Sequence, residues 1–235
     1  MKNQNEQTLV YHRMNDDKVV HLLMPGQGKG ITQDGFLMQM MDAFIEDGKN
    51  VAGFDYPFQN RGEKNPTADG SLSEEQEELV AVMESLYTIG YEKINCIAKS
   101  MSGIVLSKML SEYPNAMNGG KTAILGQIVS GVKFEKGVLT ENMEHTLDLV
   151  VQGTNDKYGS VKDVHNDLAK NNIDSSTKVI PIQNADHSYR DINADGSENE
   201  NQTGENQRQV IQHIIAWAKE LEKCDMTEQE INDVF

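Results

Sequence analysis

Cysteine is scarce in this chain: two of 235 residues, Cys96 and Cys224. Two cysteines build no disulfide framework, and their spacing matches no zinc motif. Cys96 lies inside an apolar strand-like run and reads as a buried, unreactive thiol. Positive charge is also in short supply. Lys and Arg number 21 against 37 Asp and Glu, a formal net charge of -16. A surface of that sign repels phosphate backbones and anionic bilayers, so neither nucleic acid nor membrane is an expected partner. The acids are dispersed along the chain, which suits solubility. Long apolar runs are absent, and none could cross a bilayer. The opening stretch "MKNQNEQTLVYHRM" has no apolar core of a signal peptide. Together these absences predict a reduced, cytoplasmic protein.

The chain does have enough apolar residues, 37% of the total, for one compact domain with a real core. Apolar runs alternate with helical patterns. "KVVHLLM" (18–24), "NVAGFDY" (50–56), "INCIA" (94–98), "KTAILGQIVS" (121–130), "TLDLVVQG" (146–153) and "TKVIPIQ" (177–183) read as strands. Helices are expected over 36–48, 71–90, 102–113, 160–172 and 206–223. Continuously apolar strands are buried on both faces. Alternated with helices, they imply a mainly parallel, doubly wound α/β sheet flanked by helices. "TLVYHRM" (8–14) is a candidate edge strand. The whole of 1–235 is read as one domain, with its core over about 8–223. The polar stretch 191–206 is expected to be a mobile loop, and 224–235 a tail able to form a short helix with Ile231, Val234 and Phe235 on one side.

Ligands of open parallel sheets bind beyond the C-terminal ends of strands. Three polar residues fall at such ends. Ser100 follows "INCIA", Asp156 follows "TLDLVVQG" and His187 follows "TKVIPIQ". Ser, then Asp, then His is the chain order of an α/β-hydrolase triad. A serine hydroxyl needs a base to take its proton, and His187 is suited to that task. Asp156 would fix the imidazole tautomer and stabilise the imidazolium.

The nucleophile elbow of such enzymes reads G-x-S-x-G. Here it reads Ala98-Lys99-Ser100-Met101-Ser102. The close approach of strand and helix requires small residues, and Ala98 and Ser102 are small. Centring the pattern on Ser102 would put the bulky Ile104 at a flank, so Ser100 is preferred. Ser102 is read as packing at the helix N-terminus. The backbone N–H groups of Met101 and of Gln27, in the loop "PGQGKG" (25–30), are the expected oxyanion donors. That loop fits neither G-x-G-x-x-G nor G-x-x-x-x-G-K-[ST], so it is not read as a nucleotide site. Gly26, Tyr56 and Lys99, with Arg61, are candidates to line the mouth.

These motifs together resemble those of small α/β-hydrolases related to dienelactone hydrolases. The branch concerned contains a testis-expressed hydrolase-like protein and a subunit of a nuclear acetyltransferase complex. Its members carry a loop like "HGAGAG", then "F-x-x-P", "GKSMGG", "QG-x-x-D" and "DHSF". The matching stretches are "PGQGKG" (25–30), "FDYPFQNRGEKNP" (54–66), "AKSMSG" (98–103), "QGTND" (152–156) and "ADHSY" (185–189). The likeness spans residues 18 to 220. It implies that Ser100, Asp156 and His187 are nucleophile, acid and base. Pro25 stands where the branch has histidine, and Ala98 and Ser102 stand where it has glycine.

Other residues read more plainly. His21, inside a strand, is taken as a satisfied core or edge residue. His12, His145, His165 and His213 are placed on surfaces. Asp186 is expected to shape the turn before His187. "DINADGSEN" (191–199) begins like a calcium loop, but Gln202 stands where a bidentate Glu is needed. No metal or cofactor is called for. The reading is a serine hydrolase of a small- or medium-acyl ester or thioester, without a large cap domain. The alternatives are an acyltransferase on the same triad or a non-catalytic interaction protein. A protein partner is not indicated.

Overall fold

A computed structural model describes residues 9–66, 70–129, 143–173 and 176–232, with backbone alone over 225–232. Seven strands form one sheet: β1 (Leu9–His12), β2 (Val19–Met24), β3 (Val51–Phe54), β4 (Lys93–Lys99), β5 (Thr122–Leu125), β6 (Leu147–Gly153) and β7 (Lys178–Ile182). Their order is β1-β3-β2-β4-β5-β6-β7. The edge strand β1 runs antiparallel to β3, and every other pairing is parallel. Among the described residues there are six helices: α1 (Gly35–Glu46), α2 (Pro57–Asn60), α3 (Ser73–Thr88), α4 (Met101–Glu112), α5 (Val161–Lys170) and α6 (Glu200–Asn232).

The apolar runs place a core on each face of the sheet. In β4, Ile94, Cys96 and Ala98 face a core shared with α3, α4 and α5, while Ile97 faces one shared with α1 and α6. Both sets are buried, which is why the strand is continuously apolar rather than alternating. Polar side chains set the helix starts. Asp34 accepts from the Phe36 and Leu37 N–H groups at the head of α1, and Ser160 and Asp163 form a reciprocal cap on α5. No cap domain stands among the described residues.

Three segments differ from the expectation. The expected strand 121–130 stops at Leu125, because Gly126 turns the chain with φ +66°. The stretch 191–206 is built into the fold rather than left as a loose loop. Its last residues open α6, and Asp191 and Ile192 bridge to Ala185 and Glu198. Side chains there satisfy backbone. Asp191 N–H donates to Thr203 Oγ1 at 3.0 Å, and the Asn199 amide donates to Asp191 Oδ2 at 3.1 Å. The C-terminal tail continues α6 to Asn232 instead of forming a separate helix. The side chains of Ile231, Val234 and Phe235 lie outside the described set.

His21 is buried in the core, with its ring 4.8 Å from that of Phe44. It is not fully satisfied: Nδ1 has no hydrogen-bond partner. Burial, helped by the Lys49 charge, pushes its pKa down to about 3. Cys96 is buried and its thiol is pushed up by burial, as suits an inert residue.

Candidate active site

Ser100 joins β4 to α4 with φ 55° and ψ −116°. A residue with a side chain meets steric strain there, of order 1–3 kcal/mol, that surrounding contacts must offset. They do so on both sides. The Ser100 N–H donates to the Leu125 carbonyl at 2.9 Å, and the Ser100 carbonyl accepts from Gly103 N–H at 3.0 Å. Ala98 and Ser102, at the two flanks of Ser100, are fully buried.

The turn after β6 carries Asp156, whose side chain is wholly excluded from solvent. Its Oδ1 accepts from the Tyr158 N–H at 2.8 Å. Its Oδ2 accepts from Gln152 Nε2 at 2.9 Å and lies 2.6 Å from His187 Nδ1. On the other side of the ring, His187 Nε2 is 2.7 Å from Ser100 Oγ. A carboxylate oxygen accepts, so Nδ1 carries the ring proton. In the neutral ring Nε2 is then an acceptor, and the Ser100 O–H donates to it. The three residues placed at strand ends by the sequence are thus brought into one continuous chain.

The His187 ring is confined by its surroundings. Tyr158 presents its ring at 4.6 Å, nearly edge-on at 72°. Beneath lies Gly126, where an added Cβ would come within 3.2 Å of the imidazole. Asp186 shapes the turn by accepting from Ser188 and Arg190 N–H groups and from the Arg190 guanidinium. Tyr189, fully buried, donates its hydroxyl to the Val151 carbonyl at 2.8 Å. That bond ties the histidine turn to the end of β6, and burial holds the phenol protonated.

Residues 25–27 pack against the elbow. A Cβ on Gly26 would lie 3.4 Å from Ser100 Cβ, an ordinary contact distance, so the backbone of this loop runs directly alongside Ser100. Gln27 follows, exposed, with its amide on Asn65 Oδ1. Met101 opens α4, whose first N–H groups have no partner inside the helix. A polar cleft of about 510 Å³ shares this wall. Gln27, Lys29, Lys99, Ser188, Arg190 and Gln207 are among its lining. Lys99 lies there against Asp34 at 2.5 Å and 5.4 Å from the Phe36 ring centre.

Two mouth candidates are elsewhere. Tyr56 is fully buried behind the elbow and cannot line an opening. Its hydroxyl bonds Ser102 Oγ at 2.8 Å. Arg61 is engaged with Glu63 and Glu74. The sequence reading also missed Gln152 and Gly126. A polar residue ending an apolar run, and a glycine ending the preceding strand, were the available signals. In the calcium-like stretch, Asp195 accepts from the Ser197 N–H and hydroxyl. Among the described residues no three His, Cys, Asp or Glu side chains gather as metal ligands. No helix among the described residues is long and apolar enough to cross a membrane.

Comparison with solved structures gives the same architecture. A serine hydrolase homologue from Coxiella burnetii superposes with a TM-score of 0.61 at 15% identity, over 89% of this chain and 97% of the other. A lidless α/β serine hydrolase from Xanthomonas campestris gives 0.59 at 14% identity, over 89% and 88%. A monoacylglycerol lipase from Paleococcus ferrophilus gives 0.58 at 11% identity, over 90% and 99%. At such identities the likeness speaks to fold alone. No curated protein matches the chain. The profile of the alpha/beta hydrolase domain family matches residues 17–216, and the chain belongs to that family.

Proposed function

We propose that the protein is a serine hydrolase that cleaves an ester or thioester of a small or medium acyl group. The observation that carries this reading is the unbroken Ser100–His187–Asp156 chain on a strained elbow. In the first step Ser100 Oγ bonds to the substrate carbonyl carbon as its proton passes to His187 Nε2. The carbonyl oxygen becomes an oxyanion, met by the Met101 and Gln27 N–H groups. Collapse breaks the bond to the alcohol or thiol, which takes the proton from His187. Water, deprotonated by the same nitrogen, then releases the acid and restores Ser100. Asp156, hydrogen-bonded to Nδ1, orients the ring and stabilises the imidazolium.

The cleft beside the elbow is suited to the polar part of the substrate. The motif matches at 25–30, 98–103, 152–156 and 185–189 support placement in the dienelactone-hydrolase-like branch of the family. Two free thiols, one exposed, support a reducing compartment.

A fluorophosphonate probe tests the reading, together with p-nitrophenyl esters of graded chain length. Label on Ser100, and hydrolysis lost in Ser100→Ala, are the expected results. Folded wild-type protein that takes no label, or Ser100→Ala that hydrolyses as wild type, would overturn it. An interaction protein on this fold gives the first of those outcomes.

A further inference from the structure

Ser102 stands where the elbow pattern has glycine, and its hydroxyl is bonded on two sides in the core. Its Oγ lies 2.5 Å from the Pro25 carbonyl and 2.8 Å from the Tyr56 hydroxyl. The carbonyl can only accept, so Ser102 donates its single proton there. Ser102 Oγ is then left as an acceptor, and the Tyr56 O–H must donate to it. The whole relay therefore runs one way: Tyr56 to Ser102 to Pro25. Tyr56 and Ser102 are both fully buried, where no water competes for these bonds.

The next carbonyl of the same loop is also held. Gln59, buried in α2, donates Nε2 to the Gly26 carbonyl at 3.0 Å and to that of Lys29 at 2.9 Å. Its Oε1 is fixed in turn by the Tyr56 N–H at 2.9 Å. In a trans peptide the C=O and the following N–H point in opposite directions. Anchoring the Pro25 oxygen therefore aims the Gly26 N–H, and anchoring the Gly26 oxygen aims the Gln27 N–H. These are the amides of the loop that lies against Ser100.

We propose that Ser102, backed by Tyr56, and Gln59 are positioning residues that aim the oxyanion donors of loop 25–27. The proposal rests on the hydrolase reading of the site. Ser102 is then a functional departure from the elbow pattern, not a passive small replacement. Restoring glycine at 102 would leave the Pro25 carbonyl and the Tyr56 hydroxyl buried without their partner. The loop amides would lose their aim although the triad itself is untouched.

The test compares Ser102→Gly, Ser102→Ala and Tyr56→Phe with wild type, using active sites titrated by fluorophosphonate. Met109→Ala, which removes a buried side chain from the same helix, is the control for loosening of α4. An oxyanion donor acts in the transition state, so kcat per titrated site should fall about tenfold or more in the Ser102 variants while KM stays within about twofold. Tyr56→Phe, which removes one hydroxyl, should show the same pattern to a smaller degree. Met109→Ala should lower Tm and leave kcat per site unchanged. If Ser102→Gly and Tyr56→Phe lose Tm but keep wild-type kcat per site, the role is structural and the proposal fails. Wild type that takes no label on Ser100 defeats the hydrolase reading itself, a separate and distinguishable result.

Discussion

Gln152 Nε2 and His187 Nδ1 converge on one oxygen, Oδ2 of Asp156, at 2.9 and 2.6 Å. The glutamine does more than hold the carboxylate. Its other N–H donates to the Gly159 carbonyl at 2.7 Å, the Gln127 carbonyl at 3.3 Å can only share one of these two hydrogens, and Oε1 accepts from the Gln127 N–H at 2.7 Å. One buried amide thus fastens the ends of β5 and β6 to the turn that carries the acid.

Gln152→Leu keeps the approximate volume and removes every one of those bonds. It should cost about 2–4 kcal/mol of stability, because several buried polar groups lose partners at once. The activity should also fall, since Asp156 is freer to rotate away from His187. Urea unfolding alongside kcat on a p-nitrophenyl ester measures both. Stability within about 0.5 kcal/mol of wild type would show that the amide is dispensable.

Gly126→Ala confronts two obstacles. The backbone is at φ +66°, and the new methyl would press on the imidazole at 3.2 Å. The expected loss is about 1–2 kcal/mol of stability from the backbone. Displacing His187 should lower kcat by about tenfold or more, since its hydrogen bond to Ser100 depends on position. Rates equal to wild type would mean that the ring does not rest on this glycine during catalysis.

Stability should depend on pH through His21. Its folded pKa is lowered from the ordinary 6.5 to about 3. Between those values the unfolded chain binds the proton and the folded chain does not. Stability from this group is therefore complete above 6.5 and is lost as pH falls towards 3, by about 1.4 kcal/mol per unit over the lower part of that window. His21→Leu removes the contribution. Denaturant titrations at pH 5 and 7 should show a smaller difference in the variant than in wild type, and equal differences would refute the assignment.

Lys99→Met breaks the pair with Asp34, both side chains being mostly buried. Asp34 continues to cap α1, but its carboxylate loses the neighbouring cation. A loss of about 1–2 kcal/mol is expected, less than for a fully enclosed pair. Because Lys99 also lines the polar cleft, KM for polar esters should change more than kcat. A change confined to kcat would place the residue nearer the reacting atoms than the cleft wall.

Much of this arrangement is readable from the chain itself, for a physical reason. Ser100, Asp156 and His187 each interrupt the polarity pattern where an apolar run ends, and parallel topology gathers such ends on one side. The edge strand 9–12 likewise shows in its pattern. What sequence does not show is who bonds to whom at long range. Tyr56 reads as an aromatic near the mouth, yet its partner is Ser102, 46 positions away. Gln152 passes as strand residue until Gln127 and Gly159 fold around it. The stretch 191–206 looks unpackable by hydropathy. It is ordered because Asp191, Asn199 and Thr203 bond backbone and one another, which no hydrophobic scale registers.

The hydrogen bond between Ser100 and His187 closes a loop of 87 residues. Between them lie β5, β6, β7 and the crossovers that make parallel pairing possible. Parallel ladders of this kind are non-local and slow to assemble. The reactive chain therefore exists only once β4 through β7 are all in register, and no fragment or half-formed sheet can contain it. Recovered hydrolysis would then be a strict clock for complete folding. The single tryptophan, Trp217, bonds Asp148 from α6 and reports the docking of that helix on β6. During refolding its fluorescence follows that docking while activity follows completion of the sheet, so the two signals report separate steps.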